Sequence, residues 1–230
     1  MSFWVPGRHC ADEILDGNLP AHEEEASLSD IEWVHRNLGG RVLLRRRLLP
    51  LLESLAGPER RPLSLLDLGC GSGHVGRDLV DAFARRGGAL TVLGCDLKRS
   101  HARLAKRRRS AAGDALRLPV ATSSVDVVLS TLFLHHFSFE ECRRVLRESH
   151  RVARRAVIAF DLSRHRAAWA LISVVGPLAF RTKISTLDGQ ASVLQAFTPS
   201  EISTLAADVL PGASVRPAGP FVWQLVWTRP

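Results

Sequence analysis

The chain has 230 residues, 46% of them hydrophobic, which is enough for one substantial core and too short for two ordinary domains. Its formal charge of +8 at pH 7 leaves nucleic acid and anionic membranes to be weighed as partners. There is no internal repeat, low-complexity tract or long linker, and Cys10, Cys70, Cys95 and Cys142 show neither paired nor metal-ligand spacing, which points to a reducing cytoplasm.

The first residues lack the basic and apolar regions of a secretory leader, so none is expected. After Phe3-Trp4-Val5-Pro6, two helices are expected over Ser29–Leu38 and Arg41–Leu55, broken at Gly39-Gly40, with Ser29 or Asp30 capping the first. His9, His22 and His35 in this part, and His165 later, read as surface histidines. An apolar run over 63–68 then reads as a fully buried strand of a parallel sheet. It runs into Asp67 and the loop Gly69-Cys70-Gly71-Ser72-Gly73, whose glycines allow a sharp turn and close approach of a ligand before a helix over 74–86. Gly71, Gly73 and Gly76 also match the dinucleotide spacing G-x-G-x-x-G, which would suit a dehydrogenase. Asp67 argues against it, because an anion is badly placed beside a pyrophosphate and well placed beside a cation. S-adenosylmethionine has an ammonium and a sulfonium and no phosphate.

A second strand, 90–95, ends at Asp96 and Leu97, and a carboxylate there can accept both hydroxyls of a ribose. A helix over 98–108 and a short strand over 110–113 lead to Gly113-Asp114-Ala115, where Asp114 can accept from an adenine amino group beside the Ala115 backbone. A strand over 125–130 ends at Ser130, followed by His135 and His136, a helix over 139–149 and a strand over 154–160. This alternation predicts an α/β, doubly wound parallel sheet with right-handed crossovers. Its three acids then fall at the carboxyl ends of successive strands, where such sheets bind ligands. The basic runs Arg45–Arg47 and Arg103–Arg109 read as solvated helix surface, the second also complementing a helix dipole, which disfavours nucleic acid as partner.

On Asp67–Gly73, Asp96, Gly113-Asp114-Ala115, Val125–Ser130 and Leu132–Phe137, the chain resembles the class I S-adenosylmethionine-dependent methyltransferases. It is most similar to the small-molecule branch that includes ubiquinone and menaquinone C-methyltransferases. The likeness covers 63–160, while Asp188-Gly189 through Ser192 and Ala196-Phe197-Thr198-Pro199 resemble a bacterial subgroup associated with polyketide and other secondary metabolism. It implies a Rossmann-like, mostly parallel seven-stranded sheet, with Ala213–Arg216 and Phe221–Trp227 as a closing hairpin that inserts one antiparallel strand. It divides one methyltransferase domain into a helical cap (1–60), a cofactor-binding core (61–160), a substrate-side insertion after strand 5 (161–200) and the last helix and strands (201–230). The implied cofactor is S-adenosyl-L-methionine, and the implied binding positions are Asp67, Gly69, Cys70, Gly71, Gly73, Asp96, Leu97, Asp114, Ala115 and Ser130.

Ala167–Phe180 is apolar apart from Ser173 and too short to span a bilayer. It reads as a core helix, as a roof over the acceptor pocket, which we favour, or as a peripheral contact with a membrane. An apolar pocket suits phenols, quinols or acyl derivatives. His135 and His136, at the mouth of the cleft, are the candidate catalytic bases, and no histidine–acid spacing indicates a metal. Ser130-Thr131-Leu132-Phe133 lacks the proline motif of enzymes that methylate exocyclic base nitrogens, and no Cys follows a Pro as in cytosine C5 enzymes. The expected activity is methyl transfer to oxygen or carbon of a small, apolar, aromatic or polyketide-like acceptor. The alternatives are a non-catalytic cofactor-binding partner subunit and an RNA or protein methyltransferase.

Overall fold

The computed structural model describes residues 4–9, 13–104 and 109–230. Seven strands form one sheet: β1 (Leu63–Leu68), β2 (Leu90–Asp96), β3 (Arg109–Ala112), β4 (Val125–Thr131), β5 (Ala153–Leu162), β6 (Ser214–Gly219) and β7 (Val222–Thr228). Their spatial order is β3-β2-β1-β4-β5-β7-β6. The first five pair in parallel, and β7 runs antiparallel between β5 and β6. This is the Rossmann-like sheet with one inserted antiparallel strand that the resemblance implies.

β1 is apolar on both faces because helices cover both. Leu63 and Leu65 join the layer formed by α2 (Gly40–Ala56) and α3 (His74–Ala84), where Leu48, Leu52, Leu79 and Phe83 are buried. Leu66 and Leu68 face the opposite layer, where α5 (Phe139–Val152) and α8 (Pro199–Val209) contribute Val145, Leu146, Ile202 and Leu205. Both of these helices start with a capping box, Ser138 with Glu141 and Thr198 with Glu201, which satisfies amide donors that would otherwise be orphaned.

The largest boundary differences are at two places. The helix expected over 98–108 is α4 (Arg99–Leu104), and residues 105–108, with most of the Arg103–Arg109 basic run, lie outside the described residues, as do Phe3 and Cys10. The first helix, α1 (Ala21–Asn37), starts at Ala21 rather than at Ser29, with Glu23 and Glu24 in its first turn, where acids complement the dipole. Asp30 is therefore no cap of α1. It lies buried inside that helix and accepts from the Arg181 and Thr182 amides (3.0 and 3.2 Å) and from Ser185 Oγ (2.8 Å). Those groups open α7 (Lys183–Gln195), which with α6 (Arg166–Ala179) fills the segment between β5 and α8. Asp30 thus ties the N-terminal helix to that pair.

Candidate functional site

Gly69 has φ +64°, and a Cβ there would lie 2.2 Å from the Phe133 ring, so only glycine allows this turn to pass the segment after β4. Gly76 meets a different limit: a Cβ on α3 would come 2.9 Å from Val92 Cγ1, so its role is close helix–strand packing. That accounts for the third glycine of the dinucleotide-like spacing without a dinucleotide. Asp67 is buried at the carboxyl end of β1 and lines the cavity above it. At the end of β2, Asp96 Oδ2 accepts from the Gly71 amide (2.9 Å) and Oδ1 from the Lys98 amide (3.0 Å). One carboxylate therefore holds the glycine loop against the next strand. Asp114 Oδ1 accepts from the Leu116 amide (2.8 Å).

The N-terminal segment crosses this edge. The Arg8 guanidinium donates to the carbonyls of Gln195 (2.6 Å), His135 (3.1 Å) and Phe137 (2.5 Å), over the Phe197 ring at 4.1 Å. A single 3-10 turn, Ile14–Asp16, follows, its Ile14 and Leu15 amides held by Asp188 of α7 (2.8 and 2.9 Å). Lys98 holds it from the other side, donating to the carbonyls of Leu15 (2.5 Å) and Gly17 (2.7 Å) and to Glu24 (3.1 Å).

This anchoring places Glu13 beside the histidine pair. His135 is fully buried, with Nδ1 2.7 Å from Asp161 Oδ1 and Nε2 3.4 Å from Glu13 Oε1. Its amide also donates to Asp161 Oδ2 (3.0 Å), and Ser192 Oγ donates to Glu13. Burial alone would lower the His135 pKa, but the Asp161 and Glu13 carboxylates outweigh it and raise it to about 10. Burial would also raise both acids, and the imidazolium holds Asp161 and Glu13 below the ordinary carboxylate values. Held between two carboxylates, the buried ring favours its charged form, in which neither nitrogen is free to accept a proton. His136 stacks on it, centroids 4.4 Å apart and rings 28° from parallel, with Nδ1 3.0 Å from Asp16 Oδ2. Glu13, His135 and His136 lie close enough together to suggest metal ligands. Stacked rings, however, keep their nitrogen lone pairs in nearly parallel planes, so they do not converge on one ion.

One cavity of about 1610 Å³ joins these features, reaching from the glycine loop to walls formed by α1, α2, α6 and α7. Pockets for single small ligands are roughly 300–1,000 Å³, so this one has room for a cofactor and a second molecule.

The family described as a methyltransferase domain matches residues 66–161, the span from the end of β1 to Asp161. Over that span the chain carries a methyltransferase domain. A malonyl-[acyl-carrier protein] O-methyltransferase from Methylococcus capsulatus is 32% identical over 123 residues, 48% of this chain and 43% of that protein. The chain thus aligns with less than half the length of this curated relative. Among solved structures, a SAM-dependent methyltransferase from Aquifex aeolicus superposes with a TM-score of 0.59 at 14% identity, covering 87% of this chain and 97% of the other. A plantazolicin methyltransferase bound to a pentazolic substrate analogue and S-adenosylhomocysteine gives 0.66 at 14% identity, over 90% and 91% of the two chains. At such identities the structures show a shared fold.

In the methyltransferase domain, Asp67, Gly69, Cys70, Gly71, Asp96, Leu97, Asp114, Ala115, His135 and His136 all line the one cavity. Gly73 and Ser130 do not. Gly73 takes the left-handed conformation at the N-cap of α3 and shapes the loop from behind. Ser130 is 6% exposed inside β4, and the segment after it, Thr131 to Phe133, lines the cavity instead. Burial and the Asp67 and Asp96 charges push the Cys70 thiol well above its ordinary value, so it stays neutral against Gly94. His35, expected on the surface, is 9% exposed and meets His74 edge to face at 5.0 Å on the cavity wall. Burial lowers both, His74 to about 3, so two neutral imidazoles stand where α1 crosses the glycine loop. His165 caps α6 by accepting from the Ala167 amide (3.1 Å).

Glu13, Asp16 and Asp161 escaped the sequence reading. Asp161 did carry a signal: it ends an apolar strand as Asp67 and Asp96 do. Glu13 and Asp16 precede the first recognisable helix and reach the site only through the Asp188, Lys98 and Arg8 anchors.

Proposed function

We propose that the protein transfers a methyl group from S-adenosylmethionine to an oxygen or carbon of a small, apolar, aromatic or polyketide-like acceptor. The observation that carries this is the continuity of the cavity from the Asp67–Gly71 edge to the apolar walls of α1, α2, α6 and α7. The residues fit the cofactor. Asp67 is an anion suited to its ammonium. Asp96 Oδ2 keeps a second lone pair for a ribose hydroxyl, while Oδ1 already meets the Lys98 amide and His101 Nδ1 (3.2 Å), and Asp114 has one oxygen beyond the bond to Leu116 for the adenine amino group. The sulfonium supplies an activated methyl group.

The chain's own residues then have two tasks. Ile31, Val34, Leu171 and Val175 enclose the acceptor in apolar surface and keep water away from the transfer. His136 takes the proton of a phenol or enol-type acceptor, with Asp16 on Nδ1 orienting it and Nε2, 4.0 Å from Glu13 Oε2, outside hydrogen-bond range of that carboxylate. The His135 imidazolium, fixed by Asp161 and Glu13, holds the stacked His136 ring in place. The test is incubation with methyl-deuterated S-adenosylmethionine and a panel of phenols, quinols and acyl derivatives, read by mass spectrometry. Methylated product supports the proposal. Cofactor binding with no transfer to any acceptor class would leave a non-catalytic cofactor-binding subunit in its place.

A further inference from the structure

α6 is an apolar helix that is largely uncovered. Its inner side packs on α7, where a Cβ on Gly176 would come 2.9 Å from Thr186. Val174 and Leu178, an i, i+4 pair 69% and 86% exposed, face outward, while Leu171 and Val175 on the adjoining flank of the helix line the cavity mouth. Across the cavity mouth stand Leu38 and Val42, both exposed, and the cavity is lined by Leu38, Val42, Leu171 and Val175 together. An exposed apolar patch of this kind on a polar protein marks an interaction surface. Its charged surroundings have one sign. Arg46 and Arg47 line the same mouth, and Arg181 and Lys183 follow the end of α6, all exposed and without an ion pair among the described residues. The nearby acids are already engaged: Asp30 with the start of α7, Glu32 with Arg36 and Arg77, and Asp188 with the 3-10 turn.

We infer that this face docks on an anionic lipid bilayer, so that the cavity mouth opens toward the acyl layer and takes its acceptor from there. Exposed aliphatic side chains flanked by unpaired cations match the acyl layer and the anionic headgroups of a bilayer together. The four unpaired cations suit anionic headgroups, each adding attraction that salt screens. No helix among the described residues is long and apolar enough to cross a membrane, so the contact is peripheral. The acceptor class that follows is an amphiphile whose apolar tail dissolves in the leaflet. The loading route rests on the cavity being the acceptor site; the docking does not.

Flotation with phosphatidylcholine vesicles, with and without phosphatidylglycerol, tests it, alongside calorimetric titration with S-adenosylmethionine. The expected result is capture by the anionic vesicles, weakened on the order of tenfold or more by Val174→Asp/Leu178→Asp, by Arg181→Glu/Lys183→Glu and by high salt. Cofactor affinity should be the same in all of them. Failure to float by protein that binds the cofactor overturns the docking and leaves the methyltransferase reading standing. Flotation that the variants do not change also overturns it. So does a dimer dispersed by Val174→Asp/Leu178→Asp, or saturable binding of an acidic carrier protein to this face, without vesicle binding. Loss of cofactor binding with intact flotation counts against the proposed activity alone.

Discussion

His135 Nδ1 lies 2.7 Å from Asp161 Oδ1, and the same imidazole reaches Glu13 through Nε2 at 3.4 Å. A cation buried between two carboxylates joins three chain segments that are far apart in sequence, and its charge is a stability term with a pH window. The folded pKa of His135, about 10, is above the ordinary 6.5. Its contribution is therefore full below about pH 6.5 and is lost as pH rises through 10. Asp161 and Glu13 are depressed, so theirs is present above the ordinary carboxylate range and lost as pH falls through their folded values. Urea unfolding across pH should show a plateau near neutrality that declines on both sides. Asp161→Asn should flatten the alkaline decline; an unchanged alkaline limb would show that His135 is not held charged by Asp161.

His136→Ala should lower kcat by about 10²–10⁴-fold on an acceptor that must lose a proton, with cofactor affinity unchanged. Asp16→Asn should have the same direction and a smaller effect, because it loosens the orientation of His136 without removing the nitrogen. Steady-state kinetics beside calorimetry separates the two quantities. An active His136→Ala enzyme would end the proposed role.

Asp96→Ala should weaken S-adenosylmethionine binding by about 10- to 150-fold, since it removes a charged acceptor from the Gly71 amide as well as from any ribose hydroxyl. Calorimetric titration reads it. Binding at wild-type strength would mean that Asp96 neither holds the cofactor nor shapes the loop that does.

Gly69→Ala and Gly212→Ala both place a side chain at positive φ, +64° and +82°, but only the first drives a Cβ into another group, the Phe133 ring. Gly212→Ala should cost about 1–2 kcal/mol from backbone strain alone. Gly69→Ala should add an overpacking cost of about 1–3 kcal/mol and distort the cavity edge. Melting temperatures and cofactor titration distinguish them; equal losses would show that the Phe133 ring yields freely.

Asp30→Ala should destabilise the protein by about 1–3 kcal/mol, because the amides of Arg181 and Thr182 lose a buried charged acceptor. A denaturant midpoint no different from wild type would remove Asp30 as the tie between α1 and α7.

Local chemistry determined much of this protein. Runs apolar on both faces specify central parallel strands. Acids and glycines directly after them mark the strand ends, so the places of Asp67, Gly69, Gly71, Asp96 and Asp114 along one cavity were readable by position. The Asp188-to-Ser192 segment was visible as a motif, but its use was not: Asp188 holds the turn that carries Glu13, and Ser192 bonds Glu13 itself. The state of His135, the burial of His35 and the seating of Asp16 on His136 depend on groups more than a hundred residues away or on neighbouring elements. Only the tertiary structure decides them, because the charge of an imidazole is set by the carboxylates and solvent around it in space, and sequence spacing carries that information only within one strand or helix turn.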